Sequence, residues 1–439
     1  ARIEALDRRG PALHSMLDLN PDALAIADSM DAERRAGRVR GPLHGIPVVI
    51  KDNVDTADRM TTTAGSLALE GSVAPRDAFI VERLREAGAV ILGKTNLSEW
   101  ANFRSTRSSS GWSGRGGQAR NPYALDRSPC GSSSGSGVAI AANLGAVGVG
   151  TETDGPIVCP AAASGLVGLK PTVGLVSRAG IIPIAGSQDI AGPMTRTVAD
   201  AATLLSVLAG SDPRDPATAA ARGKAEADYT RFLDPNGLRG ARIGVARKGF
   251  TGYHPETDQA FEAALAAMRQ AGATIVDSVD IPHYGEYGDA EYTVLLYEFK
   301  HELDRYLAGL GPNAPVKSLA DVIAFNEREK GRSMPYFGQE IMLAAQAKGP
   351  LTSREYRDAK RKTRLAGVGV DSVMRRLRLD AIVAPTGSPA WTIDLVNGEQ
   401  AAAPLHLAAH VPNRFRFVNI GPAAGVRFLV YRDSSLVTW

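Results

Sequence analysis

The chain has 439 residues, with 50 lysines and arginines against 47 aspartates and glutamates, and 44% hydrophobic residues. That is the balance of a globular protein with a sizeable core, and a net charge of +3 offers no polycation for nucleic acid or an anionic membrane surface. Two cysteines are too few for a disulfide framework, so a reducing, cytoplasmic setting is expected, and no run approaches the ~18 apolar residues of a membrane span.

The pattern begins inside a helix-like segment, "ARIEALDRRG", which is expected to continue a segment before Ala1. Residues 22–37 carry apolar residues at helical spacing and end on a glycine. "GIPVVIKDNV" then gives a short β-branched run from Ile46 to Ile50, with Lys51 at its end. "DAFIVERLREAGAVILGKTNL" reads as helix, glycine turn and buried strand, and "GVAIAANLGAVGVGTET" repeats that shape. A helix over 198–209 follows Thr197 as N-cap. From residue 241 the alternation returns as strand 241–247, helix 256–270 and strand 273–281. Helices near 288–309, 318–328 and 353–377 precede the strand "DAIVAPT" at 380–386. The order predicts an α/β fold with a parallel or mixed sheet. The basic cluster at 354–377 reads as the solvated face of helices. Residues 104–119, "RSTRSSSGWSGRGGQA", have the composition of a linker, but Trp112 equally suits an ordered loop over a site.

Three segments carry candidate chemistry: Lys51 after its strand, "SPCGSSSGSG" at 128–137, and "GTETDG" at 150–155. A lysine buried against an apolar strand is pushed toward neutrality and can act as a base, and a serine can relay the proton. Glycines let backbone amides approach a developing oxyanion. Each segment alone has a plainer reading, as a solvated turn or a flexible loop. Gly131–Gly135 also fits the G-x-S-x-G elbow, but His283, His301, His406 and His410 lie in no context that suggests a catalytic histidine. The phosphate-loop pattern is absent, and "GLVGLKPT" does not supply it. Scattered histidines and cysteines 29 apart predict no metal site and no cofactor.

Together the three segments resemble the amidase signature family, Ser–cisSer–Lys amidohydrolases. The resemblance runs through "GPLHGIPVVIKDN", "TTTAGS", "GAVILGKTNLSEWA", "SPCGSSSGSG", "GTETDG" and "GLKPTVGLVSRAGIIP", and more loosely to "DAIVAPT". "TNLSEWANFR", "GWSGRGGQARNPY" and "SPCGSSSGSG" are similar to the bacterial peptide amidases, which remove the C-terminal amide of peptide amides. The resemblance implies one amidase-signature domain over 1–439, with a central mixed sheet flanked by helices on both faces. Its signature core spans about 40–200, its helical substrate-side region about 285–377, and its tail 398–439. It implies a small-molecule or peptide amide substrate and no cofactor. Lys51 matches the triad lysine, and Ser132 the bridging serine whose preceding peptide bond is cis. Gly131 and Ser133 fill out that loop, and Thr153, Asp154, Gly155 and position 156 match the stretch whose amides form the oxyanion hole.

The nucleophilic serine of the family lies 24 residues beyond the bridging serine, and there this chain has Pro156. Proline has neither a hydroxyl to acylate nor an N–H to donate. Activity is therefore expected to be lost or impaired. The alternatives are an inactive protein that keeps the pocket as an amide-binding site, or a hydrolase using another nucleophile, Cys159 or Ser133. Residues 398–439 keep only faint echoes of the family in "LAAHVP" and "GPAAGVRFLV", and Arg414, Arg416 and Arg427 fall where an apolar strand is expected.

Overall fold

The structure, a computed structural model, describes residues 1–387 and 389–396, with the backbone alone of 429–432 and 435–438. The readings on 398–428, including His406, His410, Arg414, Arg416 and Arg427, lie outside the described residues.

A helical turn at Ile3–Arg8 precedes β1 (Met16–Leu19) and α1 (Ala23–Arg35). The signature stretch then runs β2 (Pro47–Lys51), α2 (Phe79–Glu86), β3 (Val90–Thr95), a two-residue-per-strand hairpin of β4 (Trp112–Ser113) and β5 (Gly117–Gln118), and α3 (Ser134–Ala141). It continues through β6 (Val147–Glu152), α4 (Val158–Ala163), β7 (Val167–Gly168), β8 (Ile190–Thr195) and α5 (Val198–Leu208). The N-cap expected of Thr197 is present: its hydroxyl accepts from the Asp200 amide at 3.0 Å.

These strands form a six-stranded sheet in the order β1-β3-β2-β6-β8-β7. β2 runs parallel to both β3 and β6, whereas β1, β8 and β7 join antiparallel, so the sheet is mixed. The β-branched run of β2 shows why both faces are covered. Val48 and Ile50 pack with α2 and α5 residues such as Leu84 and Leu205. Val49, pointing to the opposite face, packs with Ile140 of α3 and Ala161 of α4. A strand buried on both sides needs a continuous apolar run rather than an alternating one, and each such side chain contributes about 1.5–3 kcal/mol.

The second alternating stretch gives β9 (Arg242–Val245), α6 (Pro255–Gln270) and β10 (Thr274–Val276), and later β11 (Ala381–Val383). β10, β9 and β11 make a parallel three-stranded sheet. Between β10 and β11 lie α7 (Gly288–Gly309), α8 (Leu319–Arg328), α9 (Lys330–Ser333), α10 (Glu340–Gln346) and α11 (Arg354–Leu377). The backbone of β12 (Leu429–Arg432) pairs antiparallel with β13 (Ser435–Thr438). Arg354, Arg361 and Arg364 on α11 are exposed as the charge run implied. Lys360 instead turns inward to the Glu298 carboxylate of α7 at 2.6 Å.

Residues 104–119 are an ordered hub rather than a linker. Arg104 is fully buried; its guanidinium donates to Glu99 at 2.5 Å and to the carbonyls of Ser333 and Phe337 at 2.6 and 3.3 Å. It also stacks over the Phe337 ring, and Trp112 meets Tyr336 and Phe337 edge-on. The low apolar content of this loop hides its dependence on partners more than two hundred residues away.

Candidate active site

β2 ends by delivering Lys51 into the interior, where no part of the residue is exposed. Its ammonium nitrogen lies 2.7 Å from Ser132 Oγ, 3.0 Å from Thr151 Oγ1 and 3.3 Å from the Thr151 carbonyl. Burial pulls its pKa down to about 7, although the carboxylates of Asp189 and Glu152 favour the charged form. A lysine that ionises near neutrality is available as a base.

Ser132 enters from the 128–137 loop through a cis Gly131–Ser132 bond, the geometry that the resemblance implied. Its carbonyl accepts from the Ser98 amide at 3.1 Å. Ser133 turns the other way. Its hydroxyl donates to the Thr151 carbonyl at 3.1 Å and accepts from the Thr151 amide at 3.2 Å, fastening α3 to β6. Gly135 has to be glycine: a Cβ there would lie 2.4 Å from the carbonyl oxygens of Asn96 and Ser15.

The 153–156 stretch leaves the end of β6 and faces Ser132. Gly155 adopts φ +99°, a conformation that favours glycine, with open space around it. The Pro156 carbonyl accepts from the Ser133 amide at 3.2 Å, and the Gly155 carbonyl from the Cys159 amide at 2.9 Å. The Glu152 carboxylate accepts from the amides of Ile157 and Val158 at 2.8 and 3.1 Å, which fixes the start of α4. Thr153 donates its hydroxyl to Asp189 at 2.6 Å, and Lys170 donates to the Thr153 carbonyl at 2.8 Å. Burial raises the Asp154 carboxyl to about 7; Lys170 opposes the shift, and Glu152 and Asp189 reinforce it.

Ser132, Thr151, Thr153 and Pro156 all line one cavity of about 640 Å³. Gly131, Ser133, Asp154 and Gly155 stand around it without forming its wall. The far side comes from the 178–190 segment and from Glu302, Arg305 and Tyr306 of α7. Tyr306 donates to Asp55 at 2.7 Å, and burial raises the Asp55 carboxyl to about 7. Among the described residues no group of three or more His, Cys, Asp or Glu side chains is arranged to hold a metal ion.

The cysteines correct the sequence reading. Cys130, two residues before Ser132, is joined by a disulfide to Cys159, three residues after Pro156. A spacing of 29 residues disguised the pair, which the fold brings to a Cα–Cα distance of 5.9 Å. The thiol proposed as a substitute nucleophile is therefore not free. The other substitute, Ser133, is engaged at both ends of its hydroxyl by Thr151.

Thr151, Asn53, Asp189 and Lys170 had been assigned no role from the sequence. Asn53 donates to Thr151 Oγ1 at 3.0 Å and so orients the group that holds Lys51. Their signal was faint. Asn53 and Thr151 sit inside "KDN" and "TETDG", next to the residues that drew attention, and Lys170 inside "GLKPT".

The amidase family model matches residues 1–412. The chain belongs to that family. A probable amidase of Arabidopsis thaliana is 44% identical over 406 residues, spanning 90% of this chain and 77% of the plant protein. The crystal structure of the peptide amidase PAM in complex with the competitive inhibitor chymostatin is 55% identical, with a TM-score of 0.88, covering 91% of this chain and 81% of that one. Native peptide amidase from Stenotrophomonas maltophilia is also 55% identical, with a TM-score of 0.86 over 89% of this chain and 80% of that one. This is thus an amidase-signature amidohydrolase with a peptide-amidase-like fold and sequence.

Proposed function

We propose that this amidohydrolase is built for the C-terminal amides of peptides, with Lys51 as base, Ser132 as proton relay and position 156 as the seat of the nucleophile. We further propose that Pro156 holds hydrolysis far below the capacity of the site. The observation that carries the reading is the 2.7 Å contact between a fully buried Lys51 and Ser132 in the wall of the cavity that also contains Pro156. The 55% identity to a peptide amidase crystallised with chymostatin supports a peptide ligand. In a chain with serine at 156, neutral Lys51 takes a proton through Ser132 as that serine attacks the amide carbonyl. The backbone amides of the 153–155 stretch receive the oxyanion, and ammonia leaves with the returned proton.

The paired assay of the unaltered chain and Pro156→Ser for ammonia release from a peptide amide tests this reading. Strong turnover by the unaltered chain, abolished by Lys51→Ala, overturns the impairment. A second reading, an amide-binding protein without turnover, is favoured by the persistence of the cavity with Pro156 in its wall. Calorimetric titration with a peptide amide tests it, and no heat at millimolar ligand rules it out. The Cys130–Cys159 bond favours an oxidising compartment over the cytoplasm expected from the cysteine count.

A further inference from the structure

The groups around position 156 that could accept an acyl group are almost all committed elsewhere. Cys159 is bound to Cys130. Ser133 bonds twice to Thr151 and does not line the cavity. Thr153 donates to Asp189, and Thr151 Oγ1 accepts from both Lys51 and Asn53. Ser132 differs from all of them. Its residue lines the cavity beside Pro156, and its hydroxyl has a single hydrogen-bond partner among the described residues, the Lys51 nitrogen at 2.7 Å.

Ser132 is fully buried, and a serine hydroxyl in contact with a lysine at the border of a cavity is a nucleophile–base pair in its own right. As a relay, Ser132 hands its proton backward to Lys51 while receiving one from a second hydroxyl in front. With proline at 156 that front hydroxyl does not exist, and the same backward transfer leaves the alkoxide character on Ser132 itself. We infer that Ser132 is the acyl-accepting nucleophile of this chain, with Lys51 as its direct base, and that the pair acts on activated acyl donors such as aryl esters.

The choice of donor follows from what Pro156 removes. An amide needs a well-placed oxyanion hole and a protonated leaving nitrogen, whereas an aryloxide departs unprotonated and demands less of both. In the first step neutral Lys51 takes the Ser132 proton while the Oγ–carbonyl bond forms. The bond from the carbonyl carbon to the aryl oxygen then breaks, and the aryloxide leaves with the electron pair. Lys51 then loses the proton it took to bulk solvent, and in the second step water attacks the acyl-Ser132 ester and gives a proton to the neutral Lys51. The Oγ–acyl bond breaks, Ser132 recovers a proton from Lys51, and the carboxylic acid is released.

This inference shares Lys51 as base with the reading above and requires nothing of position 156. The test treats the unaltered chain with an alkyl fluorophosphonate, in which the P–F bond breaks and fluoride leaves as the P–O bond forms. Peptide mapping then locates the adduct. One adduct on Ser132 is expected, slowed about 100-fold or more in Lys51→Met, in line with the range for loss of a general base. The aryl ester p-nitrophenyl acetate is expected to turn over in parallel with the labelling. An adduct on another residue, or none on a chain with native circular dichroism and an intact disulfide, overturns the inference. Because mapping is done on the unaltered chain, the outcome does not depend on a Ser132 variant folding. Labelling of Ser132 without amide hydrolysis by Pro156→Ser defeats only the peptide-amide reading, and the reverse result defeats only this one.

Discussion

Replacing Pro156 with serine supplies a hydroxyl and a backbone N–H at once, without removing a hydrogen bond that holds the stretch. The hydrogen bonds that hold the stretch are made by its carbonyls and by neighbouring amides: Ser133 N–H to the 156 carbonyl, Cys159 N–H to the Gly155 carbonyl, and Ile157 and Val158 N–H to Glu152. None of them uses the pyrrolidine ring. Loss of a serine nucleophile costs about 10⁶ in turnover in subtilisin, roughly 8 kcal/mol at 1.36 kcal/mol per decade. One oxyanion donor is worth about 2.7–4 kcal/mol, and the two effects do not add. Relief of the restriction that proline places on Gly155 leaves some loop adjustment to be made, so the expected gain is on the order of 10³–10⁶ in kcat. Enzyme-coupled ammonia detection with a peptide amide, on both proteins side by side, reads it directly. A gain under tenfold, with unchanged circular dichroism and the disulfide intact, would refute the assignment of position 156.

The pH profile of Pro156→Ser follows from the same lysine. Lys51 works as base only when neutral, so kcat/KM is expected to rise through about pH 7 and then level off. Glu152→Gln removes a charge that favours the protonated form, and the inflection is expected to move to lower pH; an unmoved inflection contradicts the role of Lys51. Lys51→Met tests stability. A lysine that titrates near 7 when folded and near 10.5 when unfolded weakens the fold increasingly as pH falls from about 10.5 to 7, and fully below that. The variant is therefore expected to gain on the order of 3–5 kcal/mol at pH 6, less the lost hydrogen bonds, and little at pH 11. Denaturant midpoints at the two pH values read the difference. Reducing Cys130–Cys159 opens a loop of 29 residues and is expected to cost about 3–4 kcal/mol, seen as a lower urea midpoint with reductant. An unchanged midpoint, with both thiols alkylated, contradicts it. Arg104→Ala strands the buried Glu99 carboxylate and is expected to cost about 3–5 kcal/mol; a loss under 1 kcal/mol means that the hub does not anchor α9 and the Phe337 loop.

Much of this architecture was legible because its signals are local. The run at Val48–Ile50 needs no partner to read as a doubly buried strand, and Thr197 before an apolar helical pattern reads as a cap within four residues. Lys51 and Ser132 stood out only together, through the resemblance of their segments to the amidase signature family, and the structure brings the two side chains to 2.7 Å. What escaped depends on contacts between distant segments. The Cys130–Cys159 pair exists because α4 folds back toward the Ser132 loop, and two cysteines in a sequence give no such vector. Asp189 matters because it reaches Thr153, 36 residues away, and Asn53 because it orients Thr151, 98 residues away. For residues 104–119 composition left a linker and an ordered loop equally open, because their order comes from Arg104 and Trp112 meeting residues 333–337.

The frame around position 156 also bears on how far this chain stands from a serine at that position. A frame made of backbone carbonyls, amides and the Glu152 carboxylate is indifferent to which side chain stands at its centre. Every proline codon becomes a serine codon through a single change at its first base. One transition therefore separates the protein from a form with the hydroxyl in place. The hydrogen bonds that hold the 153–159 stretch would not have to be replaced.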